Sequence, residues 1–265
     1  MSTHAAAVSV VIPCYRCAEL AERAIASAAN QTLPPREIIV IDDGSADGTL
    51  RRLEALRQRW PMLRVVALPN NRGPGAARNA GWDAATQPWV AFLDADDAWH
   101  PRKLEIQWRW MRSHPKVALT GTGYTLAEPW SAEEERTEPT SVRNWHQLLS
   151  NRFVTSSVMV RHDVGVRFEP TKRHSEDNLL WLTILLHGSL GYRFPQPLVR
   201  FYKPLYGAGG LSRELWKMQL GQLDTFRRVR NTGLIGPATY AGVSAFALLK
   251  FARRALRTLS YRVRV

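Results

Sequence analysis

Apolar and polar positions along the chain fall into blocks that predict strands alternating with helices. Four short apolar runs rich in branched side chains have the length and composition of strands buried on both faces. They span residues 8–12, 38–41, 63–67 and 89–93. The segments between them carry apolar side chains at helical spacing, at residues 17–32, 49–60 and 76–85. This alternation predicts an α/β fold with a parallel sheet and right-handed crossovers.

The second half of the chain has a less regular pattern, which predicts shorter elements. Residues 127–141 are rich in Glu, Pro, Ser and Thr and are expected to form an exposed loop. The other expected elements are a Trp-rich helix after residue 101, strands at 116–120, 154–160, 192–194 and 198–202, a helix from 175, and basic helices from 212 to the end.

The fourth apolar run ends in three carboxylates, Asp94, Asp96 and Asp97. Ligands of open α/β sheets bind beyond the carboxyl ends of the strands, so these acids are expected in a crevice. Their charges repel one another unless a cation or hydrogen-bond donors neutralise them. The Asp-x-Asp spacing suits a Mg²⁺ or Mn²⁺ ion that also holds a diphosphate. The alternative is a helix cap, above all for Asp97, because a helical pattern begins at His100-Pro101.

A second pair of acids, Asp42 and Asp43, follows the second predicted strand and can face the same crevice. The chain has no Gly-x-x-x-x-Gly-Lys-Ser/Thr motif, and no Gly-x-Gly-x-x-Gly follows the first strand. A nucleotide is therefore expected to be held through its base, its ribose and a metal. Tyr15 could stack on the base, or it could be a half-buried structural residue. Arg78, near a helix start, could reach base or ribose, or be solvated.

Composition sets the size and class of the protein. With 265 residues, 45% of them apolar, and ten Trp, the chain can bury a large core. Cys14 and Cys17 have the Cys-x-x-Cys spacing of redox sites, but no second pair completes a metal site. We expect ordinary reduced thiols, which fits a reducing, cytosolic compartment. No signal peptide is visible at the N-terminus.

Basic residues are concentrated near the C-terminus. The net charge is +13, and residues 212–265 hold eleven Lys and Arg against two acids. Six of them lie in the last sixteen residues, interleaved with Leu and Phe. This amphipathic pattern suits an anionic membrane surface; the alternative is a solvated face of a helix packed on the domain. Nucleic acid is not expected as a partner, because the tail's aromatic residues belong to its apolar face. The apolar run 234–249 is short for a membrane span.

Four motifs occur in order over the first part of the chain. They are Val10-Val11-Ile12-Pro13-Cys14-Tyr15, Ile41-Asp42-Asp43-Gly44-Ser45-Ala46-Asp47-Gly48-Thr49, Asn71-Arg72-Gly73-Pro74-Gly75-Ala76-Ala77-Arg78-Asn79 and Phe92-Leu93-Asp94-Ala95-Asp96-Asp97. Together they resemble glycosyltransferase family 2, the inverting nucleotide-sugar transferases of the GT-A fold. The resemblance continues more loosely through Glu176-Asp177 and Arg200-Phe201-Tyr202 to about residue 212.

The resemblance implies a role for each matching residue. Pro13 and Tyr15 would line the pocket for the nucleoside. Asp42 or Asp43 would hydrogen-bond to the nucleoside, and Arg78 would lie close to its base. Asp94 would contact the ribose or the metal, and Asp96 would ligate the metal, Mn²⁺ or Mg²⁺.

On the acceptor side, the resemblance implies that Asp177 is the general base. Glu176, Trp99 and Arg200 are assigned to the same side. From the residues alone, Ser175-Glu176-Asp177 could instead be a helix start stabilised by the macrodipole.

The expected organisation is a disordered N-terminus at residues 1–7, a GT-A domain at 8–211 and a basic amphipathic tail at 212–265. Residues 8–115 would bind the nucleotide and 116–211 the acceptor. The resemblance implies metal-dependent transfer from a nucleotide-sugar, a UDP-sugar, to a hydroxyl of a glycan or lipid-linked acceptor. The expected setting is bacterial surface polysaccharide or lipopolysaccharide synthesis, on the cytoplasmic face of the inner membrane. The alternatives are a sugar-phosphate nucleotidylyltransferase, whose Gly-rich signature is missing, and a degenerate binding protein without catalysis.

Overall fold

The computed structural model describes residues 5–127, 130, 138–203 and 215–262. Within these ranges, nine strands form one sheet flanked by helices. The strands are β1 (Ala6–Cys14), β2 (Pro35–Asp42), β3 (Leu63–Ala67), β4 (Trp89–Phe92), β5 (Asp97–Trp99), β6 (Val117–Thr125), β7 (Thr140–Ser141), β8 (Met159–Arg161) and β9 (Leu190–Phe201). The helices are α1 (Ala18–Ala29), α2 (Thr49–Leu56), α3 (Pro74–Asp83), α4 (Lys103–Ser113), α5 (Asn144–Leu149), α6 (Glu176–Leu186), α7 (Leu215–Asn231) and α8 (Pro237–Arg262).

The sheet has a parallel half and a mixed half. Its strand order is β3-β2-β1-β4-β8-β6-β9-β5, with β7 on β9. Strands β1 to β4 pair in parallel, as the alternating pattern predicts. Strand β8 is antiparallel to both β4 and β6, and β5 is antiparallel to β9. The α/β class is thus confirmed, and the sheet is more mixed than the mainly parallel one expected.

The core lies on both faces of the sheet because the central strands alternate their side chains between two apolar layers. Val8, Val10 and Ile12 of β1 pack into the layer that contains α1 and α4. Val11 of the same strand packs into the opposite layer, with Trp82 of α3. This two-sided burial explains why the strands are continuous apolar runs in the sequence. It also places the carboxyl ends of β1, β2 and β4 at one edge.

Several predicted elements differ from the observed ones. Asp97 lies in strand β5, so the interpretation of Asp97 as a helix cap is wrong, and α4 begins at Lys103. The strand expected at 154–160 is a 3₁₀ turn, Thr155–Ser157, followed by the short β8. The two short strands expected between residues 192 and 202 are one strand, β9.

Both predicted ends of the domain need adjustment. Strand β1 begins at Ala6, so the last two residues of the N-terminal segment predicted to be disordered belong to the sheet, and residues 1–4 lie outside the described residues. At the other end, α7 and α8 share a buried apolar cluster with α5 and α6. Phe226 and Val229 of α7 lie in it beside Leu182 of α6. The first part of the tail therefore packs against the domain.

The structure places the side chains of Cys14 and Cys17 beside each other at the end of β1, and their predicted reduced state stays a prediction. Their Cα atoms are 5.9 Å apart, within the range that a disulfide spans. Between them, Arg16 has a positive φ of 51°, which turns the chain at the end of β1.

Candidate active site

The stretch that carries Asp94, Asp96 and Asp97 connects β4 to β5 at the carboxyl edge of the sheet, and we call it the acidic link. β4 ends at Phe92, and β5 begins at Asp97, which pairs with Phe201 of β9. The side chains of Asp94 and Asp96 are 31% and 38% exposed, whereas Asp97 is buried. The three acids thus follow a strand end, as the pattern predicts, and they differ in exposure.

Each of the three carboxylates is neutralised in a different way. Arg78 Nη2 donates to Asp94 Oδ1 at 2.7 Å, and Lys203 Nζ donates to Asp96 Oδ2 at 3.2 Å. Asp97 accepts from the hydroxyl of Ser156. Burial, with the nearby Asp94 as the next cause, raises the pKa of Asp97 to about 9. Burial thus favours the neutral form of Asp97, which lowers the negative charge of the cluster.

Arg78 connects the donor-side acids to a second acidic pair, Glu176 and Asp177. It is buried in α3, and its Nη1 donates to Glu176 Oε1 at 3.1 Å. Burial by itself lowers the pKa of the Arg78 guanidinium, but Asp94 and Glu176 outweigh it, so the pKa lies above its ordinary value. A solvated Arg78 is thus excluded in this structure. Contact with the nucleotide base, which the resemblance implies, stays a prediction.

Glu176 and Asp177 begin helix α6, directly after Ser175, which has a positive φ of 58°. Burial raises the pKa of Glu176 to about 7, against the opposing effect of Arg78. Asp177 is half-buried, and its Oδ2 accepts from Asn151 Nδ2 at 3.0 Å. Burial also raises the pKa of Asp177. A carboxylate held in place with a raised pKa is a better general base than a solvated one.

Asp42 and Asp43 brace the loops beside the site. Both are buried at the end of β2. Asp43 accepts the backbone N–H groups of Arg72 and Gly73 at 2.9 and 2.8 Å, and Asp42 accepts that of Ser45 at 3.3 Å. These bonds fix the loop that leads into α3. A direct bond to a nucleotide stays a prediction for both acids.

The loop after Asp43 depends on a glycine. Gly44 has a φ of +68°, and an added Cβ would lie 2.5 Å from the backbone carbonyl carbon of Asn70. Only glycine fits this close approach of the two loops.

Pro13 and Tyr15 lie at the end of β1, beside this loop. Pro13 is half-buried, and Tyr15 is exposed, with the Arg16 guanidinium carbon 5.2 Å from its ring centroid. The Tyr15 ring is therefore accessible for stacking, as the resemblance implies for a nucleoside.

Trp99 and Arg200 are both buried. The Trp99 indole N–H donates to the carbonyl of Ser156 at 2.7 Å, and Lys103 Nζ lies 3.9 Å from the centroid of the Trp99 rings. The Arg200 guanidinium carbon lies 4.1 Å from the ring of Trp130. Trp99 thus stabilises Ser156, whose hydroxyl contacts Asp94 and Asp97 of the acidic link. Direct contact with an acceptor stays a prediction for both Trp99 and Arg200.

The sequence pattern missed the 3₁₀ turn that joins the two halves of the site. The Ser156 hydroxyl, besides donating to Asp97, accepts the backbone N–H of Asp94 at 3.1 Å. The hydroxyl of the preceding Thr155 is 3.5 Å from Asp177 Oδ2. Thr155-Ser156-Ser157 matches no motif, so only the fold shows that it lies between the acids and Asp177.

Helix α7 holds the segment that leads into Glu176 and Asp177. The buried Lys172 donates from Nζ to the carbonyl of Gly221 at 2.7 Å and to Asp224 Oδ2 at 3.0 Å. An added Cβ on Gly221 would lie 2.8 Å from the Cβ of His174. The tail helix and the candidate base are therefore parts of one packed unit.

The acidic link has the donor chemistry of a Mg²⁺ or Mn²⁺ site. Asp94 and Asp96 supply hard carboxylate oxygens, which these ions prefer. Among the described residues, no group of three or more His, Cys, Asp or Glu is placed to hold a metal. Mg²⁺ commonly binds through one or two carboxylates and substrate phosphates, so this arrangement fits an ion that binds together with a diphosphate.

The fold and this site define a nucleotide-sugar glycosyltransferase of the GT-A type. The chain belongs to glycosyl transferase family 2, whose model matches residues 9–174. It is 31% identical over 197 residues to the putative teichuronic acid biosynthesis glycosyltransferase TuaG of Bacillus subtilis, covering 73% of this chain and 78% of the relative.

A second relative has a more specific name. The UDP-Glc:alpha-D-GlcNAc-diphosphoundecaprenol beta-1,3-glucosyltransferase WfaP of Escherichia coli is 28% identical over 184 residues, covering 68% of this chain and 71% of the relative.

Solved structures share the fold. S. aureus TarS 1-349 in complex with UDP-GlcNAc superposes with a TM-score of 0.68 and 19% identity, over 91% of this chain and 71% of that one. The mannosyltransferase PcManGT from Pyrobaculum calidifontis, in complex with GDP-Man and Mn²⁺, superposes with a TM-score of 0.70 and 18% identity, over 97% and 76%. At these identities the likeness concerns the fold.

Proposed function

We propose that this glycosyltransferase is metal-dependent and inverting, and that it moves a sugar from a UDP-sugar to a hydroxyl of a glycan or lipid-linked acceptor. The proposed setting is bacterial surface polysaccharide or lipopolysaccharide synthesis. The observation that carries the proposal is the bridge made by Arg78. It contacts Asp94 on the donor side and Glu176 beside the candidate base, so both sets of acids belong to one site.

On the donor side, Asp94 and Asp96 would hold Mn²⁺ or Mg²⁺ together with the diphosphate. The ion, when bound, neutralises the charge that develops on the leaving diphosphate. Pro13 and Tyr15 would contact the nucleoside, with the Tyr15 ring exposed for stacking. Asp42 and Asp43 keep the adjoining loops in place for it.

On the acceptor side, Asp177 would take the proton of the attacking hydroxyl. The hydroxyl oxygen then bonds to the anomeric carbon as the bond to the diphosphate breaks on the opposite face, which inverts the configuration. One base suffices for this reaction, whereas glycoside hydrolysis needs two carboxyl groups flanking the bond. Asn151 fixes the orientation of the Asp177 carboxylate.

The choice of donor and acceptor rests on the relatives' names. WfaP is named for UDP-Glc and a diphosphoundecaprenol acceptor, and TarS is seen with UDP-GlcNAc. PcManGT, with GDP-Man, supports the competing donor class. The closing test is therefore a thermal-melt screen of UDP- and GDP-sugars with and without Mn²⁺. We expect metal-dependent stabilisation by UDP-sugars. Stabilisation by GDP-sugars alone would overturn the UDP assignment, and no stabilisation by either would overturn the proposal.

A peripheral position on the cytoplasmic face of the inner membrane is part of this proposal. In the part of the chain that the structure describes, no helix is long and apolar enough to cross a bilayer. The outer face of α8 nevertheless exposes Phe246, Leu248 and Leu249 just before Lys250 and Arg253. An exposed apolar helix face that leads into basic residues suits the surface of an anionic leaflet.

A further inference from the structure

We propose that Lys203 is a mobile counter-cation of the donor site. In the metal-free protein its ammonium group neutralises Asp96, and when a divalent cation and a nucleotide bind, the ammonium moves to the diphosphate. This inference rests on the proposed function, since it takes Asp96 as a metal ligand.

The fold places Lys203 beside Asp96 through the register of two strands. Asp97, at the start of β5, pairs with Phe201 at the end of β9. Lys203 follows Phe201 by two residues and Asp96 precedes Asp97 by one, so the two side chains meet at the same end of the strand pair. The Lys203 Nζ to Asp96 Oδ2 distance is 3.2 Å.

Arg23 contacts both of the chain segments that carry this ion pair. The guanidinium carbon of Arg23 lies 3.5 Å from the centroid of the Tyr202 ring. An Nη of the same arginine donates to the backbone carbonyl of Asp96 at 2.8 Å. Arg23 therefore holds both chain segments, and the Lys203 side chain is left as the part that can move.

Exposure distinguishes Lys203 from Arg78, the cation that pairs with Asp94. The Arg78 side chain is 6% exposed and binds two carboxylates, which makes it a fixed part of the site. The side chains of Lys203 and Asp96 are 52% and 38% exposed. Exposed ion pairs contribute little to stability, so this pair can open at low cost. The lysine stem is flexible, and its ammonium binds phosphate as a compact charge.

Two effects on binding follow. In the metal-free protein the ammonium competes with a divalent cation for Asp96, which weakens the affinity for the metal alone. With a nucleotide present, the same ammonium contributes to the affinity for the diphosphate. Metal and nucleotide should therefore bind more tightly together than separately, by a coupling that requires Lys203.

The experiment compares Lys203→Gln with Lys116→Gln, which makes the same charge change at an exposed lysine before β6. Mn²⁺ binding without nucleotide is measured by electron paramagnetic resonance, and UDP binding with Mn²⁺ by calorimetry. In Lys203→Gln we expect Mn²⁺ alone to bind roughly threefold to fivefold tighter and UDP with Mn²⁺ roughly tenfold weaker. Lys116→Gln should behave as wild type, and Lys203→Arg should retain UDP affinity.

The outcomes separate this inference from the proposed function. If the wild-type protein binds Mn²⁺ and UDP and the Lys203→Gln variant binds both with unchanged affinity, the role of Lys203 is overturned while the donor site stands. An equal loss in Lys116→Gln would reduce the effect to net charge and would also overturn it. Failure of the wild-type protein to bind either Mn²⁺ or UDP would overturn the donor site itself.

Discussion

Side chains of one chemical type behave differently in this site because their surroundings differ. Asp94 and Asp96 are partly exposed and paired with cations, whereas Asp97 is buried against a hydroxyl and has a pKa of about 9. The sequence showed the three acids and their place at a strand end. It could not show their partners, because Arg78, Ser156 and Lys203 come from segments distant in the chain, and no local pattern encodes such contacts.

Glu176 gives the stability of the protein a pH dependence that can be measured. Its pKa is raised to about 7 in the folded state from 4.5, so its contribution to stability is full below about pH 4.5 and is lost as the pH rises through 7. Glu176→Gln keeps an acceptor for Arg78 and cannot ionise. We expect the variant to melt several degrees above wild type at pH 8, with a smaller difference at pH 5.5.

Scanning calorimetry at the two pH values tests this prediction. Glu138→Gln, a change at an exposed glutamate, is the control and should show no pH-dependent difference. A gain for Glu176→Gln that is larger at pH 5.5 than at pH 8 would show that the ionised form is favoured in the folded state.

The helices and strands that have a local periodic pattern were predicted best from the sequence. Helices α1 to α4 and strands β1 to β4 lie where apolar periodicity predicts them. The 3₁₀ turn at Thr155–Ser157 was expected as a strand, because its flanking residues, Val154 and Val158, have strand composition. The hydroxyls of Thr155 and Ser156 contact Asp177 and Asp97 instead, so tertiary contacts determine the conformation of the turn.

Helix α7 was expected as part of a separate tail, yet its Asp224 supplies the counter-charge for the buried Lys172, four residues before Glu176 and the candidate base Asp177. Asp224→Ala removes the carboxylate that pairs with Lys172 and leaves only the Gly221 carbonyl as acceptor. We expect a loss of about 1–3 kcal/mol in the free energy of unfolding. Asp163→Ala, which opens an exposed pair with Arg161, should cost less than about 1 kcal/mol. Urea unfolding of both variants checks the contrast, and equal losses would argue against a structural role of α7 beside the site.

For the whole molecule, the sequence predicted the parallel half of the sheet and not the mixed half. Strands β5 and β8 have three residues each, too few for a periodic signal, and they pair with segments far along the chain. The tail illustrates the same limit. Its amphipathic pattern was compatible with a membrane surface and with packing on the domain. The structure shows that the inner face of α8 packs while an outer apolar face remains exposed.

That outer face predicts vesicle binding that depends on named side chains. Leu248→Gln/Leu249→Gln should reduce flotation with phosphatidylglycerol vesicles by roughly tenfold or more, because two exposed leucines no longer enter the leaflet. Leu126→Gln, at an exposed leucine after β6, should float as wild type does. These substitutions leave the cluster shared by α6, α7 and α8 intact, which removal of the tail would not. Equal flotation of all three proteins would contradict the membrane role.

The central claim is that Asp94 and Asp96 hold the donor while Asp177 acts as the base, and the Asp177→Asn variant tests it most directly. Turnover of the UDP-sugar is measured for wild type and variant in the presence of Mn²⁺, with either water or an acceptor receiving the sugar. UDP affinity of both proteins is measured by calorimetry. We predict that turnover falls by roughly 100-fold or more, as loss of a positioned base implies, while UDP affinity stays within about twofold, since Asp177 lies on the acceptor side. Unchanged turnover in Asp177→Asn would contradict the assignment of Asp177 as the base.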